Sequence, residues 1–254
     1  MVRKSCNLNE LTGMRSMKKH KLYLIPTPIS KRKENVALPE HTLEIIKSLK
    51  CFIVEKPQTT QSFLQWIEHP TPPYEITMRV LNKKTPDQEV YSFLKFLKEM
   101  DVGLMSEAGA PGVADPGAKL VKLAHDNDIE VVPLVGPSSI LMALMASGMN
   151  GQSFTFNGYL SLNEGKRVRE ISELEQESAQ KNRTQIFMET PHRNEQLYQL
   201  LLSKLRPSTR LCIASNITQK DEFIQTKTVH QWKQSGELDL QKKPCLFLIF
   251  SGNG

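Results

Sequence analysis

The sequence predicts an α/β fold with two domains, and three observations support this prediction. Short apolar runs alternate with amphipathic helical patterns in the first half of the 254-residue chain. Strands and helices that alternate in this way form a parallel sheet with helices on its faces. In the second half the strand candidates outnumber the long helices, which favours a mixed sheet. With 39% hydrophobic residues, the chain can bury one large core or two moderate ones.

The first half contains four predicted strands, each followed along the chain by a helix. The strands cover residues 21–26, 51–55, 102–106 and 130–135, and the helices cover residues 39–49, 87–100, 116–126 and 137–147. In the second half, the strands cover residues 153–159, 184–189, 209–215, 222–229 and 244–250, and the two long helices cover residues 164–180 and 191–204. Ligands of parallel sheets bind outside the carboxyl ends of the strands, so we expect the site there.

A pause in this pattern at residues 147–152, with two glycines and polar neighbours, predicts a hinge between the domains. The predicted N-terminal α/β domain spans residues 21–149 and the C-terminal one residues 150–254, after a flexible extension of residues 1–20. Residues 131–149 carry no charge, but prolines, a glycine and serines divide them into strand, turn and helix. We therefore predict no membrane span.

Composition and spacing exclude several classes of protein. The four cysteines lie far apart without a C-x-x-C pair, which favours free thiols in a reducing compartment. No histidines follow the H-x-x-x-H spacing, so we expect no metal site. The amino terminus lacks the apolar run of a signal peptide. Together these observations predict a cytoplasmic protein.

The net charge is +6, which is compatible with an anionic partner such as RNA but is also common among ordinary enzymes. Basic residues cluster at residues 18–21, 31–33, 166–169 and 242–243. Such clusters either contact nucleic acid or form a solvated surface.

The loop after the third predicted strand is the most informative segment. Residues 109–117 contain three glycines and two prolines, so the backbone can approach a ligand closely. The spacing of Gly109, Gly112 and Gly117 does not fit G-x-G-x-x-G, and no Lys-Ser or Lys-Thr follows. We therefore expect a ligand that is not recognised through nucleotide phosphates.

Other loops with unusual chemistry also follow strands. Residues 26–30 and 136–140 fall at the same predicted sheet edge, and the serines of the second loop either cap a helix or hold a polar ligand. Residues 189–193 open a helix after a second-half strand, and they contain the only histidine near a predicted site, His192. The chain has no G-x-S-x-G motif, and no cysteine stands in an evident nucleophile context, so covalent hydrolytic catalysis is not expected.

Five motifs occur in one order along the chain: LYLIPTPI at 22–29, SEAGAPGVADPG at 106–117, PLVGPSS at 133–139, FNGYL at 156–160 and ETPHR at 189–193. In this order they resemble the tetrapyrrole methylase superfamily, and within it the bacterial 16S ribosomal RNA cytidine 2′-O-methyltransferase branch. The resemblance extends from about residue 22 to residue 250.

This resemblance implies a class III methyltransferase, usually a homodimer, that binds S-adenosylmethionine in the cleft between two α/β domains. The implied cofactor-binding residues are Pro28, Gly109, Ala110, Val113, Ser139, Ile140, Met188, Ala214 and Pro244. A zwitterionic cofactor without phosphates also agrees with the glycine- and proline-rich loops.

The chain departs from the ribosomal RNA branch in three segments. Where that branch has Ala-Glu-Asp-Thr-Arg, residues 54–59 read VEKPQT and retain only the glutamate, Glu55, among the charged positions. The first loop continues as SKRK at 30–33, and NITQ at 216–219 replaces Glu-Leu-Thr-Lys. We expect these segments to contact the substrate, so the resemblance predicts the cofactor better than the substrate.

The predicted reaction is the attack of an acceptor oxygen on the cofactor's methyl group, aided by a general base. Glu55, Glu189 and His192 are the candidate bases, and each has a structural alternative: a surface acid, an acid near a helix dipole and a packing imidazole. Arg193 and residues 166–169 are candidates for contacts with RNA phosphates. Two alternatives remain: methylation of a small molecule or a protein in the same cleft, and a non-catalytic module that binds cofactor or RNA.

Overall fold

A computed structural model describes residues 20–30 and 37–252 of the chain. The predicted extension of residues 1–20 therefore lies outside the described residues, except for His20. The same is true of the basic residues 31–33.

Five parallel strands form the first sheet, as the alternating pattern predicts. They are β1 Lys21–Ile25, β2 Cys51–Val54, β3 Thr77–Val80, β4 Val102–Met105 and β5 Glu130–Pro133. Their order in the sheet is β3-β2-β4-β1-β5. Strands β2 and β4 are buried at every position because helices cover both faces of the sheet, which explains their continuous apolar runs.

The helices of the first half are α1 Glu40–Ser48, α2 Pro57–Trp66, α3 Asp87–Ser92, α4 Leu94–Glu99, α5 Gly117–His125 and α6 Ser139–Ser147. A short 3₁₀ helix covers Pro73–Glu75. Helices α3 to α5 pack on one face of the sheet, where Leu104 meets Phe93 and Leu120 in one core cluster. Helices α1 and α2 pack on the opposite face, where Ile46 and Phe63 belong to a second core cluster.

Two parts of the first half differ from the sequence prediction. The single helix predicted at residues 87–100 is divided in two at the buried Phe93. Helix α2 and strand β3 correspond to no element predicted from the sequence. Helix α2 consists largely of glutamine, threonine and serine, which lack the apolar periodicity that marks an amphipathic helix. Strand β3 is a four-residue, partly exposed edge strand, so it gives little signal either.

The second sheet is mixed, which confirms the predicted fold class of two α/β domains. Its strands are β6 Phe154–Tyr159, β7 Thr184–Glu189, β8 Arg210–Ser215, β9 Phe223–Thr228 and β10 Cys245–Phe250, in the order β6-β7-β10-β8-β9. Strands β6 and β7 are parallel, and the other neighbours are antiparallel. Helices α7 Glu164–Lys181, α8 Asn194–Lys204 and α9 Val229–Lys233 complete this half. The short α9 was not predicted.

Helix α6 connects the two sheets. Its residues Ala143 and Leu144 share a core cluster with Cys212 and Leu246 of the second sheet. Thr226 of β9 also donates a hydrogen bond to the carbonyl oxygen of Ser147 at 2.7 Å. Helix α6 therefore covers the second sheet, although it precedes the predicted hinge. The domain boundary after residue 149 stays a prediction.

Candidate functional site

Three loops meet at the carboxyl ends of the first sheet. Thr27 and Gly109 exchange two backbone hydrogen bonds of 2.9 and 3.0 Å, which join the loops after β1 and β4. Gly109 has a φ of 73°, a conformation that glycine adopts without strain. A Cβ on Gly136 would lie 2.4 Å from the Cβ of Pro26, so only glycine lets the loop after β5 pack against the loop after β1.

Asp115 fixes the loop between β4 and α5. Its carboxylate accepts hydrogen bonds from the backbone amides of Gly112, at 2.9 and 3.0 Å, and Gly117, at 2.6 Å. Burial raises the pKa of Asp115, and these two amides oppose that shift. The loop backbone is thus held by a side chain of the loop itself, which leaves its outer surface open to a ligand.

A cavity of about 620 Å³ lies beside these loops. Residues 27–30 after β1 form one wall, and residues 105–108 at the end of β4 form another. Helix α2 supplies the third wall with Gln58, Phe63 and Trp66. This volume lies within the range of about 300–1,000 Å³ that is usual for small-ligand pockets.

The predicted cofactor-binding residues fall into two groups. Pro28 lines the cavity, and Gly109 and Ala110 follow directly after the cavity residue Ala108. The other N-terminal residues of the prediction are Val113, which is exposed, and Ser139, which is partly buried at the start of α6.

The second group lies on the face of the second sheet that helix α6 covers. Leu246 is the strand partner of both Met188 and Ala214, so the three side chains form a row across β7, β10 and β8. Ile140 packs against the same core cluster. Pro244 directly precedes β10, two residues before Leu246, and is exposed. The structure therefore brings Ile140, Met188 and Ala214 to one face.

Glu55 directly follows β2 and precedes the cavity residue Lys56. The backbone amide of Glu107, another cavity residue, donates a long hydrogen bond of 3.4 Å to the Glu55 carboxylate. Burial raises the pKa of Glu55, and that hydrogen bond opposes the rise. The negative charges of Glu107 and Asp115 raise this pKa further. Glu55 is therefore a half-buried carboxylate with increased basicity at the edge of the cavity.

Glu189 and His192 lie in a different place, at the end of β7 and in the turn before α8. The Glu189 side chain is 1% exposed and forms an ion pair with Arg193. It also accepts a hydrogen bond of 2.6 Å from the backbone amide of Thr190. Its second oxygen, Oε2, is buried without a hydrogen-bond partner among the described residues. His192 is exposed.

The basic residues that the sequence analysis assigns to RNA contacts differ in their exposure. Arg193 is engaged with Glu189, and Arg167 is buried in helix α7. Lys166 and Arg169 are exposed on the same helix. These two lysine and arginine side chains are thus the accessible charges of residues 166–169.

The Glu189–Arg193 pair predicts a strong effect on stability. We expect Arg193→Met to lower the free energy of unfolding by about 3 kcal/mol, at the low end of the usual range because Arg193 is partly exposed. The loss arises because the buried Glu189 carboxylate loses its ionic partner and keeps only the hydrogen bond from the Thr190 amide. Urea unfolding followed by circular dichroism measures it. The double variant with Glu189→Gln should recover part of the loss, and an unchanged midpoint for Arg193→Met would contradict the prediction.

Several residues of the cavity are not among the site residues predicted from the sequence. Lys56 and Glu107 form an ion pair of 3.4 Å there, and Gln58 and Trp66 belong to the unassigned helix α2. Glu107 lies in the motif at 106–117, which directly follows β4. An acidic residue at that place in the sequence is compatible with a site residue. Helix α2 offered only Pro57, which is favoured in the first turn of a helix.

The described residues contain neither a cluster of metal ligands nor an exposed cysteine. Within residues 20–30 and 37–252, no cluster of three or more histidine, cysteine or acidic residues could hold a metal ion. Cys51, Cys212 and Cys245 are free and buried, and burial raises the pKa of Cys51 to about 11. In the same part of the chain, no helix is long and apolar enough to span a bilayer.

The fold and the cavity together define a class: an α/β protein with two sheets and a cavity beside glycine- and proline-rich loops at the strand ends. The chain belongs to the family described as Tetrapyrrole (Corrin/Porphyrin) Methylases, whose family model matches residues 21–232. It is therefore a methyltransferase, and the resemblance stated from the motifs is confirmed.

Two relatives illustrate the similarity in sequence. The "Ribosomal RNA small subunit methyltransferase I" of Vibrio cholerae is 30% identical over 235 residues, which cover 91% of this chain and 77% of the relative. The protein of the same name from Bacillus subtilis is 28% identical over 233 residues, which cover 91% of this chain and 76% of the relative.

Solved structures show the same fold. The methyltransferase CobJ matches with a TM-score of 0.60 at 13% identity, over 91% of this chain and 94% of CobJ. The cobalamin biosynthesis precorrin-6Y methylase of Archaeoglobus fulgidus matches with a TM-score of 0.54 at 17% identity, over 91% of this chain and 97% of that structure.

Proposed function

We propose that the protein transfers a methyl group from S-adenosylmethionine to a ribose 2′-hydroxyl in the RNA of the small ribosomal subunit. The observation that supports this most is the cavity beside Glu55. The cavity adjoins the loop that we propose for the cofactor, but most of its lining residues do not belong to the proposed cofactor set. A methyltransferase needs such a second compartment for its acceptor. The relatives named for ribosomal RNA methylation support the class of acceptor.

The residues at the site fit S-adenosylmethionine. Gly109 and Gly112 have φ values of 73° and 83°, and the neighbouring Ala110 is small, so backbone groups can contact a ligand directly. Ile140 and Met188 offer apolar surface suited to an adenine ring. The full proposed set for the cofactor is Pro28, Gly109, Ala110, Val113, Ser139, Ile140, Met188, Ala214 and Pro244. When bound, the cofactor supplies an electrophilic methyl group on a sulfonium.

We assign the role of general base to Glu55. A ribose hydroxyl keeps its proton tightly, and a nearby carboxylate with raised basicity can accept that proton as the oxygen attacks. The cavity walls align the acceptor, and alignment of this kind can supply about 7–11 kcal/mol of the barrier. Glu189 is less suited because its carboxylate is buried and paired with Arg193. His192 belongs to the same turn and is exposed.

Transfer of a labelled methyl group tests this function. Purified small ribosomal subunits, incubated with the protein and labelled S-adenosylmethionine, should acquire label in RNA that is resistant to alkali at one nucleotide linkage, because a 2′-O-methyl group blocks cleavage there. Label found only in a ribosomal protein, or no label despite measurable cofactor binding, would refute the RNA substrate. The absence of cofactor binding would instead favour a non-catalytic module.

The proposal extends to assembly and location. We propose a homodimer that acts in the cytoplasm, as the family resemblance implies. Three large apolar side chains, Val135, Leu141 and Met145, are exposed on helix α6 and the loop before it, and a second copy of the chain could cover them. Sedimentation equilibrium of the purified protein measures this association directly.

A further inference from the structure

Helix α2 gives the cavity an aromatic wall that the proposed cofactor site does not use. Phe63 is buried and Trp66 is partly buried, and both line the cavity. Their ring centroids are 6.1 Å apart at an interplanar angle of 81°, an edge-to-face arrangement that fixes both rings. The wall is therefore a rigid apolar surface beside the acceptor compartment.

Polar groups of the same helix stand next to this wall. Gln58, Thr59 and Ser62 also line the cavity. The Ser62 hydroxyl donates a hydrogen bond of 3.0 Å to the backbone carbonyl oxygen of Gln58. The Gln58 residue is exposed at the cavity. A carboxamide offers both donors and an acceptor, so it can pair with the hydrogen-bonding edge of a nucleobase.

The charges at the cavity suit a nucleotide as well. Lys56 is exposed and forms an ion pair with Glu107 at 3.4 Å. A phosphate group of the substrate can replace Glu107 as the ionic partner of this lysine. Glu55 lies one residue before Lys56, which places the proposed base near the sugar of a nucleotide held there. A volume of about 620 Å³ accommodates one nucleotide but not a stacked duplex.

We propose that this cavity is a base pocket, which receives one unstacked nucleotide of the substrate RNA, with its base against Trp66 and its polar edge against Gln58 and Thr59. Proteins recognise specific RNA sequences mainly through unstacked bases. Such bases stack on aromatic side chains and expose their base-pairing edges to hydrogen bonds. The proposal rests on the proposed RNA substrate, and it adds which residues of this chain select the nucleotide.

Intrinsic fluorescence tests occupation of the pocket without catalysis. The chain has two tryptophans, and Trp232 is buried, with its Nε1–H bonded to the Leu211 carbonyl oxygen at 2.8 Å. Each of the four nucleoside 5′-monophosphates is titrated into the protein saturated with S-adenosylhomocysteine. We expect saturable quenching by at least one of them, with Trp66→Phe removing the signal and Gln58→Ala weakening the affinity. Gln65→Ala, an exposed glutamine of α2 outside this cavity, is the matched control and should behave as wild type.

Kinetics on small ribosomal subunits provide the second measurement. Trp66→Ala should raise the KM for subunits about ten-fold or more, because base–aromatic stacking is lost, while the Kd for the cofactor stays unchanged. Gln65→Ala should leave both values unchanged. If Trp66→Ala does not fold, Gln58→Ala alone carries the test through its KM.

Two results would overturn the base pocket. One is the absence of saturable quenching by any of the four nucleotides in the protein saturated with S-adenosylhomocysteine, because the cavity would then bind no nucleotide beside the cofactor. The other is a wild-type KM for both Gln58→Ala and Trp66→Ala. Failure of the wild-type protein to label RNA is a separate outcome, because it refutes the proposed substrate while the fluorescence titration still reports whether the pocket binds a nucleotide.

Discussion

Glu55→Gln is expected to lower the rate constant of methyl transfer by about 10²- to 10⁴-fold, with little change in the KM for RNA or in cofactor affinity. The substitution retains an oxygen that can accept the hydrogen bond from the Glu107 amide, so the loop geometry should persist. Only the ability to accept a proton is lost. Single-turnover measurements with labelled cofactor and small ribosomal subunits separate this chemical step from binding.

The pH dependence gives an independent check on Glu55. A general base acts when it is deprotonated, so the wild-type rate should rise with pH and level off above the raised pKa of Glu55. Glu107→Gln removes a negative charge that raises this pKa, and it should therefore move the rise to lower pH. A loss of activity in Glu107→Gln together with a normal rate in Glu55→Gln would transfer the role of base to Glu107.

Glu55→Gln also has a predictable effect on the free energy of unfolding. A carboxyl group with a raised pKa in the folded state binds its proton more tightly when folded than when unfolded. Its contribution to stability is therefore present below the unfolded pKa and is lost as the pH rises through the folded pKa. Because glutamine never ionises, Glu55→Gln should be at least as stable as wild type at neutral pH. An inactive but unfolded variant would remove the argument for a catalytic role.

Ala110→Trp is expected to abolish binding of S-adenosylmethionine while the protein remains folded. Ala110 follows Gly109, whose backbone is bonded to Thr27, and precedes the segment that Asp115 anchors, so the loop has little freedom to move aside. An indole group at this position would occupy space that we assign to the cofactor. Isothermal titration calorimetry should then show no binding heat, and circular dichroism should match wild type.

Ala118→Trp is the matched control for this experiment. Ala118 is an exposed residue in the first turn of α5, so an indole group there extends into solvent. We expect wild-type cofactor affinity for this variant. Unchanged affinity in Ala110→Trp itself would show that the cofactor binds elsewhere, whatever the control does.

Much of this arrangement could be predicted because parallel strands leave strong local signals. The buried strands β2 and β4 are continuous apolar runs, and the glycines and prolines between β4 and α5 mark a loop whose backbone can approach a ligand closely. The convergence of the loops after β1, β4 and β5 followed from these assignments alone, since carboxyl ends of parallel strands share an edge.

The rest depended on contacts between distant residues. Helix α2 has a polar composition, and Phe63 and Trp66 become a wall only when the loop after β1 lies opposite them. The different environments of Glu55 and Glu189 could not be predicted from the sequence either. Glu55 directly follows a strand and Glu189 ends one, yet Glu55 adjoins an open cavity and Glu189 is buried beside Arg193. Sequence gives no measure of such differences in solvation.

Helix α6 has a further consequence for how the chain can be divided. It follows the last strand of the first sheet, yet its apolar side rests on Ile186 and Leu248 of the second. If the chain is cleaved after residue 149, separation of the fragments would expose the apolar side of helix α6 on one fragment. It would also expose the apolar sheet face that this helix covers on the other fragment. We expect the two fragments to remain associated, because separation would expose both apolar surfaces. Limited proteolysis at that point should therefore yield a nicked complex and not two independent domains.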